Sequence, residues 1–236
     1  MRTMLVGLAI GLAWAVAAAP EPAADEAGFR PLFDGRTGSG WRRFNGTGFP
    51  DKGWTAADGV LGLEADVNPG DIVTDALYES FELRLEFLLT PGANSGIKYL
   101  VDDALAPQGP HGVGFEYQLI DDERHPDAKL GVADNHTCGG LYDLIGPREH
   151  PARPAGQWNE ARLVVSGRHV EHWLNGVKLL EFERGSDAMR ALIATSKYKS
   201  MPGFGAPARG RILLQDHGQK VAFRNIRIRE LAPPAP

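Results

Sequence analysis

The sequence predicts an all-β fold, two antiparallel sheets packed face to face with one short helix inserted, on three observations. Apolar residues recur with period two in many short runs. Between the runs, 29 glycines and 17 prolines supply turns. Helical spacing is confined to one segment after Ser186. With 236 residues, 43% of them hydrophobic and 23% charged, the chain can bury one full core, which fits a single large sandwich better than two small domains. No repeat at a period of about 20 to 50 residues is evident, which sets propellers and solenoids aside.

Residues 1–19 begin with Arg2, run through the apolar stretch Leu5 to Val16 and end in alanines, the charged, apolar, small-residue order of a secretory signal. The run is too short to span a bilayer comfortably. Pro20 disfavours a cut after Ala19, so cleavage after Ala17 or Ala18 is expected, and no cysteine follows to carry a lipid. The expected product is soluble and exported, periplasmic or extracellular, with no membrane attachment after cleavage. Residues 20–28 read as a flexible tether, residues 29–231 as the sandwich domain and residues 232–236 as a tail. Cys138 is the sole cysteine, so no intrachain disulfide is available; a small buried thiol is the favoured reading over a nucleophile.

Within the domain, Phe33-Asp34-Gly35 reads as a short strand and turn leading to Trp41. Trp54, Val60 to Leu63 and Asp71 to Thr74 follow as short strands. From Phe81 to Leu89, apolar residues at 81, 83, 85, 87 and 89 alternate with Glu82, Arg84, Glu86 and Leu88, a strand with one face in water. Pro91 to Gly96 turns the chain into Ile97 to Val101, and Phe115 to Ile120 comes next. Ala161 to Ser166 and His169 to Leu174 form a hairpin about Gly167-Arg168, and Asn175-Gly176 makes a second tight turn into Val177 to Phe182. Ser186 caps a helix whose stripe is Met189, Leu192 and Ile193 and which fades by Lys197. Arg211 to Leu214 and Val221 to Leu231 close the domain. Phe223 is out of phase with Ile226 and Ile228, which predicts a bulge near Arg224 and Asn225.

A net charge of -5 and a pI near 5.8 give no basic field for a polyanion, so a small neutral ligand is expected and nucleic acid is not. Reactive side chains are densest from His111 to Tyr142. On the strand from Phe115, Glu116 and Gln118 share one face while Phe115, Tyr117 and Leu119 feed the core. His217, beside Gly218 at a strand end, and His125, at the close of the Asp121 to Arg124 run, are the imidazoles best placed to exchange protons near neutral pH. His172 shares its strand face with Val170 and Leu174, and a satisfied, partly buried histidine is its simpler reading. Lys197 and Lys199 follow the helix, where they answer its dipole or approach an anion. Glu116, Asp121 and His125 offer donors to a divalent ion, although no HxH or HExxH spacing fixes one. A glucanase-type hydrolase would need two carboxylates on one strand face; here the alternate positions are Glu116, Gln118 and Ile120, and a second acid requires a bulge that turns Asp121 inward.

The ordered set Phe33-Asp34-Gly35 with Trp41, Pro91 to Ile97, Glu116-Tyr117-Gln118, His125 to Lys129, Gly140 to Asp143, Gly156 to Glu160, Glu171 to Gly176, Leu214 to Gly218 and Phe223 to Ile226 resembles the bacterial 3-keto-disaccharide hydrolase family. The resemblance implies a concanavalin A-like jelly roll that acts on glycosides already oxidised to a ketone at C3. It implies a reaction in which a base removes the acidified C2 hydrogen, the C1 oxygen leaves and water adds. Under that reading His217 or His125 is base or acid, and Glu116 is a charge partner or metal ligand. Gln118, Tyr142, Asn159, Lys197 and Gln215 contact sugar oxygens, with His172 and Trp173 as further candidates. A lectin-like module that holds sugar without cleaving it is the alternative. The sequence leaves the glycoside, the metal and the oligomeric state open.

Overall fold

The computed structural model describes residues 26–105 and 111–232; the expected secretory signal, residues 20–25 of the tether and residues 233–236 of the tail lie outside them. In chain order the strands are β1 (Arg30–Pro31), β2 (Trp41–Arg43), β3 (Trp54–Ala57), β4 (Val60–Leu63), β5 (Ile72–Thr74), β6 (Phe81–Leu89), β7 (Asn94–Val101) and β8 (Phe115–Ile120), then β9 (Trp158–Ser166), β10 (His169–Leu174), β11 (Val177–Glu183), β12 (Arg211–Leu214) and β13 (Val221–Glu230). One helix, α1 (Asp187–Thr195), lies between β11 and β12. The larger sheet has the order β11-β10-β9-β6-β13-β4-β3, with β1 on β13; the smaller is β2-β5-β12-β7-β8. All strand pairs are antiparallel. The expected β-sandwich is the observed fold.

Alternation sets which side chains meet between the sheets. Leu83, Leu85 and Phe87 of β6 and Leu163 and Val165 of β9 face Ile97 and Tyr99 of β7 and Phe115, Tyr117 and Leu119 of β8 in one core. The expected bulge is present: Asn225 has φ 52° and the pairing of β13 with β6 shifts between Arg224 and Arg227, so Phe223 and Ile226 both point inward. The hairpin turn also forms as read, with Asn175 at φ 50° and Gly176 at φ 82°. Ser186 caps α1 by accepting a hydrogen bond from the Met189 N–H at 3.1 Å.

The outer face of β6 departs from expectation, since it is covered by ion pairs and not by water. Glu82 is 2% exposed and accepts hydrogen bonds from Arg84, Arg162 and Arg229. Burial works against its charge, yet the three guanidinium groups hold its carboxyl below the usual range. Glu26 pairs with Arg84 and Arg227, and Phe29 lies beneath the guanidinium groups of Arg84, Arg227 and Arg229. The end of the expected tether is therefore docked on this face. Cys138 is buried, and burial pushes its thiol up to about 12, which makes it inert at neutral pH.

Candidate active site

The face of the five-stranded sheet turned away from the core carries the polar residues, which are themselves buried. Because β12, β7 and β8 are neighbours, Gln118 pairs with Gly96, and Gly96 O accepts the Gln215 N–H at 2.9 Å. The adjacent row holds Glu116, Lys98 and Leu213. Gly96 stands at the centre without a side chain, and the reason is steric: a Cβ there would lie 2.6 Å from Glu116 Oε1 and 3.1 Å from its Cγ. Glu116 thus lies across the glycine. It is 4% exposed, and no described residue donates a hydrogen bond to its carboxylate. Gln118 donates to Asn94 Oδ1 at 2.7 Å, while the Oε1 atoms of Gln118 and Gln215 are buried without a partner. Buried acceptors of this kind are expected to take donors from a ligand or from water.

Beside this row opens a cavity of 420 Å³ lined by Asn68, Lys98, His111, Gln215, Asp216 and His217. Beneath it Asp71 is fully buried, with Oδ1 accepting the Asp216 N–H at 2.9 Å and lying 3.0 Å from His111 Nδ1. Its Oδ2 accepts the Gly112 N–H at 3.0 Å and lies 3.9 Å from Lys98 Nζ. Lys98 also donates to Gly112 O at 3.1 Å. The hydrogen bond with Asp71 raises the pKa of His111. His217 is exposed, and its ring lies 5.9 Å from that of His125, edge to face. Burial, and then the neighbouring His217, lowers the pKa of His125.

The other wall is Tyr142. Its hydroxyl donates to Asp127 Oδ2 at 2.9 Å, its ring stacks on His136 at 4.3 Å, and Lys197 Nζ sits 3.8 Å over it. His136 is held between Asp127 at 3.1 Å and Asp143 at 3.0 Å, and Asp143 also accepts the Lys197 N–H at 2.6 Å. Burial raises the pKa of Tyr142 and lowers that of Lys197, although the carboxylate of Glu116 draws the ammonium back toward its charged form.

The sheet thus gathers Glu116, Gln118, Tyr142, Lys197 and Gln215 on one face, with His125 and His217 at its edge. Three residues expected near sugar lie elsewhere. His172 is fully buried between the sheets, with Nε2 2.9 Å from the Tyr99 hydroxyl and Nδ1 3.0 Å from Gly139 O; burial lowers it to about 4. Trp173, of opposite parity, lies on the outer face of the larger sheet, its N–H donated to Glu171 and its ring under Arg162 at 4.6 Å. Asn159 is buried on β9, where it accepts the Arg153 N–H and pins that loop.

Sequence reasoning missed Asp71, Lys98 and His111; the sole available signal was the histidine opening the reactive stretch. The donors Glu116, Asp121 and His125 do not converge. Among the described residues, the group whose donor atoms all lie within 4.8 Å of one another is His169, Glu171 and Glu181, on the opposite side of the molecule, where Lys178 already bonds both carboxylates.

Among the described residues no second carboxylate without a partner joins Glu116. Asp121 accepts the Gly92 and Glu123 N–H groups and pairs with Arg124; burial opposes its charge, but these bonds lower its pKa. Asp216 accepts the Gly70 and Gly218 N–H groups. Among the described residues, the carboxylate left without a partner at this site therefore lies on a sheet face bordered by cations and imidazoles.

Residues 28–229 match the model of the 3-keto-alpha-glucoside-1,2-lyase-like domain. The chain belongs to this family. It is 34% identical over 237 residues to a 3-keto-disaccharide hydrolase of Bacteroides thetaiotaomicron, across 88% of this chain and 80% of that protein. A solved candidate glycosyl hydrolase of Parabacteroides distasonis superposes with a TM-score of 0.79 at 33% identity, over 90% of this chain and 99% of that one. A carbohydrate binding module of Bacillus subtilis shares the fold at 12% identity and a TM-score of 0.50, over 81% of this chain and 96% of that one. Among the described residues no helix is long and apolar enough to cross a membrane.

Proposed function

We propose that the protein cleaves glycosides whose C3 hydroxyl has been oxidised to a ketone, by removing the C2 proton, expelling the C1 oxygen and adding water. The observation that carries this reading is the carboxylate of Glu116, which has no partner among the described residues and has Lys98 and Lys197 as its cationic neighbours. A glycosidase that protonates and attacks an unactivated bond needs two working carboxylic groups. A 3-keto sugar needs one base and one stabiliser of the enolate oxygen. Glu116 takes the C2 proton, and Lys98, its partner on the adjacent strand, balances the charge that moves onto the C3 oxygen. The unpartnered amide oxygens of Gln118 and Gln215 accept sugar hydroxyls, and Tyr142 with Lys197 closes the far side. An imidazole at the border supplies the leaving oxygen with its proton; His111, His125 and His217 all stand there. The family membership and the name of the Bacteroides relative support this substrate class.

The test is a pair of substrates in heavy water, a 3-keto-glucoside and its unoxidised parent. Cleavage of the ketone alone, with deuterium at C2 of the product, is expected. Equal cleavage of the parent, or product without deuterium, would refute the elimination route. Retained sugar binding with no turnover of any keto-glycoside would favour the binding-module alternative. The site of action is proposed to be outside the cytoplasm, from the character of residues 1–19. N-terminal sequencing of exported protein is expected to start near Ala18 or Ala19; recovery of Met1 would reject cleavage.

A further inference from the structure

Three imidazoles border the hollow, and their surroundings differ. His217 is exposed, and its Nδ1 faces the Gln219 side chain at 3.3 Å. His125 uses its Nδ1 to accept the Asp127 N–H at 3.2 Å, capping a short 3-10 turn. His111 is held differently. Its Nδ1 lies 3.0 Å from a carboxylate that is completely buried and is itself fixed by the N–H groups of Gly112 and Asp216. The Lys98 ammonium grips the neighbouring carbonyl of Gly112, and a Cβ on Gly112 would come within 2.5 Å of Leu213 Cδ1, so this segment is seated closely on the sheet. A ring whose Nδ1–H is given to a buried carboxylate has one nitrogen left, Nε2, with fixed tautomer and orientation. The side chain is 54% exposed, on the wall of the cavity that Lys98 and Gln215 also line.

We infer that His111, oriented by Asp71, is the catalytic acid that protonates the leaving C1 oxygen and then the base that activates the incoming water. This rests on the elimination reading proposed above. As Glu116 takes the C2 proton, the C2–H electrons form the enolate of the C3 ketone. When the enolate collapses, they become the C1–C2 double bond, the C3 carbonyl is restored, and the C1–O bond breaks. The departing oxygen takes the proton from His111 Nε2 and leaves as the free alcohol, and the imidazole is left neutral. In the second half neutral His111 removes a proton from water as its oxygen bonds to C1, and Glu116 returns a proton to C2. Both groups regain their starting states, and the net change is one water consumed for one glycosidic bond. Asp71 acts as a positioning residue: it stabilises the imidazolium that waits for the leaving group, in keeping with the raised pKa of His111.

The decisive measurement compares two 3-keto-glucosides that differ in leaving group, one expelling a sugar alkoxide and the other 4-nitrophenolate, which departs without a proton. In the full-length protein, His111→Gln is expected to lower kcat/KM on the sugar substrate by about 10²-fold to 10³-fold and on the nitrophenyl substrate by less than about tenfold. His111→Asn should give the same split. His217→Gln should lower both substrates by one common factor. Because the imidazole is half exposed, both His111 variants are expected to melt close to wild type. Equal losses on the two substrates with His111→Gln, or a leaving-group split with His217→Gln in its place, would overturn the assignment of His111 while leaving the elimination reading intact. A wild-type protein that turns over neither keto-glucoside would overturn the elimination reading, and the role of His111 with it.

Discussion

Gly96→Ala tests the site with the smallest possible change. The new methyl carbon would stand 2.6 Å from Glu116 Oε1, so the carboxylate must withdraw by about 0.8 Å to regain ordinary contact at 3.4 Å. The atoms in the way belong to a side chain that can turn, and Gly96 is not among the glycines of positive φ, so alanine fits the strand backbone. The fold should survive with a change in unfolding free energy within about 1 kcal/mol, because the lower chain entropy of alanine offsets the contact. Catalysis should not survive as well: a displacement near 1 Å of a reacting group costs about 10²-fold in rate. Steady-state turnover of a 3-keto-glucoside, beside urea unfolding of the same samples, measures both quantities. If displacement of the carboxylate is the cause, the substitution should cost little more once Glu116→Gln has already removed the base. A full additional 10²-fold loss in that background, or an unchanged rate in the single variant, would refute the placement of Glu116 as the reacting group.

Further expectations follow from the same geometry. Glu116→Gln should lower kcat by about 10² to 10⁴-fold with little change in stability, read by turnover and thermal melting. His172 stays neutral down to about pH 4 when folded but takes a proton near 6.5 when unfolded, so stability should be intact above about pH 6.5 and fall as the pH drops toward 4, by about 3 kcal/mol. Urea unfolding of wild type and His172→Gln across that window checks this, and identical slopes would refute it. Glu82→Gln, which leaves three arginines facing a neutral amide, should destabilise by about 3 kcal/mol or more in the same assay. Dialysis against a chelator should leave turnover unchanged, since Lys98 and Lys197 already supply positive charge around Glu116; activity lost and then restored by a divalent ion would place a metal there.

Elements whose signals are local were legible in the sequence. The alternation of β6, the Asn175-Gly176 turn, the Ser186 cap and the phase slip at Asn225 each depend on neighbours in the chain, and all four appear. So does the placement of Glu116 and Gln118 on one outward face, where they pair with Lys98 and Gly96. The misreadings involve partners far apart in sequence. Glu82 looked wet because Arg162 and Arg229, which bury it, arrive from β9 and β13. Asp71 showed no sign of its hold on His111, forty residues later, since only the arrangement β5-β12-β7 brings them together. Asn159 and Trp173 carry side chain types that suit a sugar, yet parity sends one into the sandwich and the other to its opposite surface.

The clasp of Glu26 and Phe29 over the arginines of β6 and β13 has a practical consequence. It fastens the start of the described chain to the broad back of the sandwich, while the hollow opens from the front. A handle of any size attached ahead of residue 26 would leave from behind, so the molecule can be tethered to a bead or a sensor surface by that end with its substrate entrance turned toward free solution.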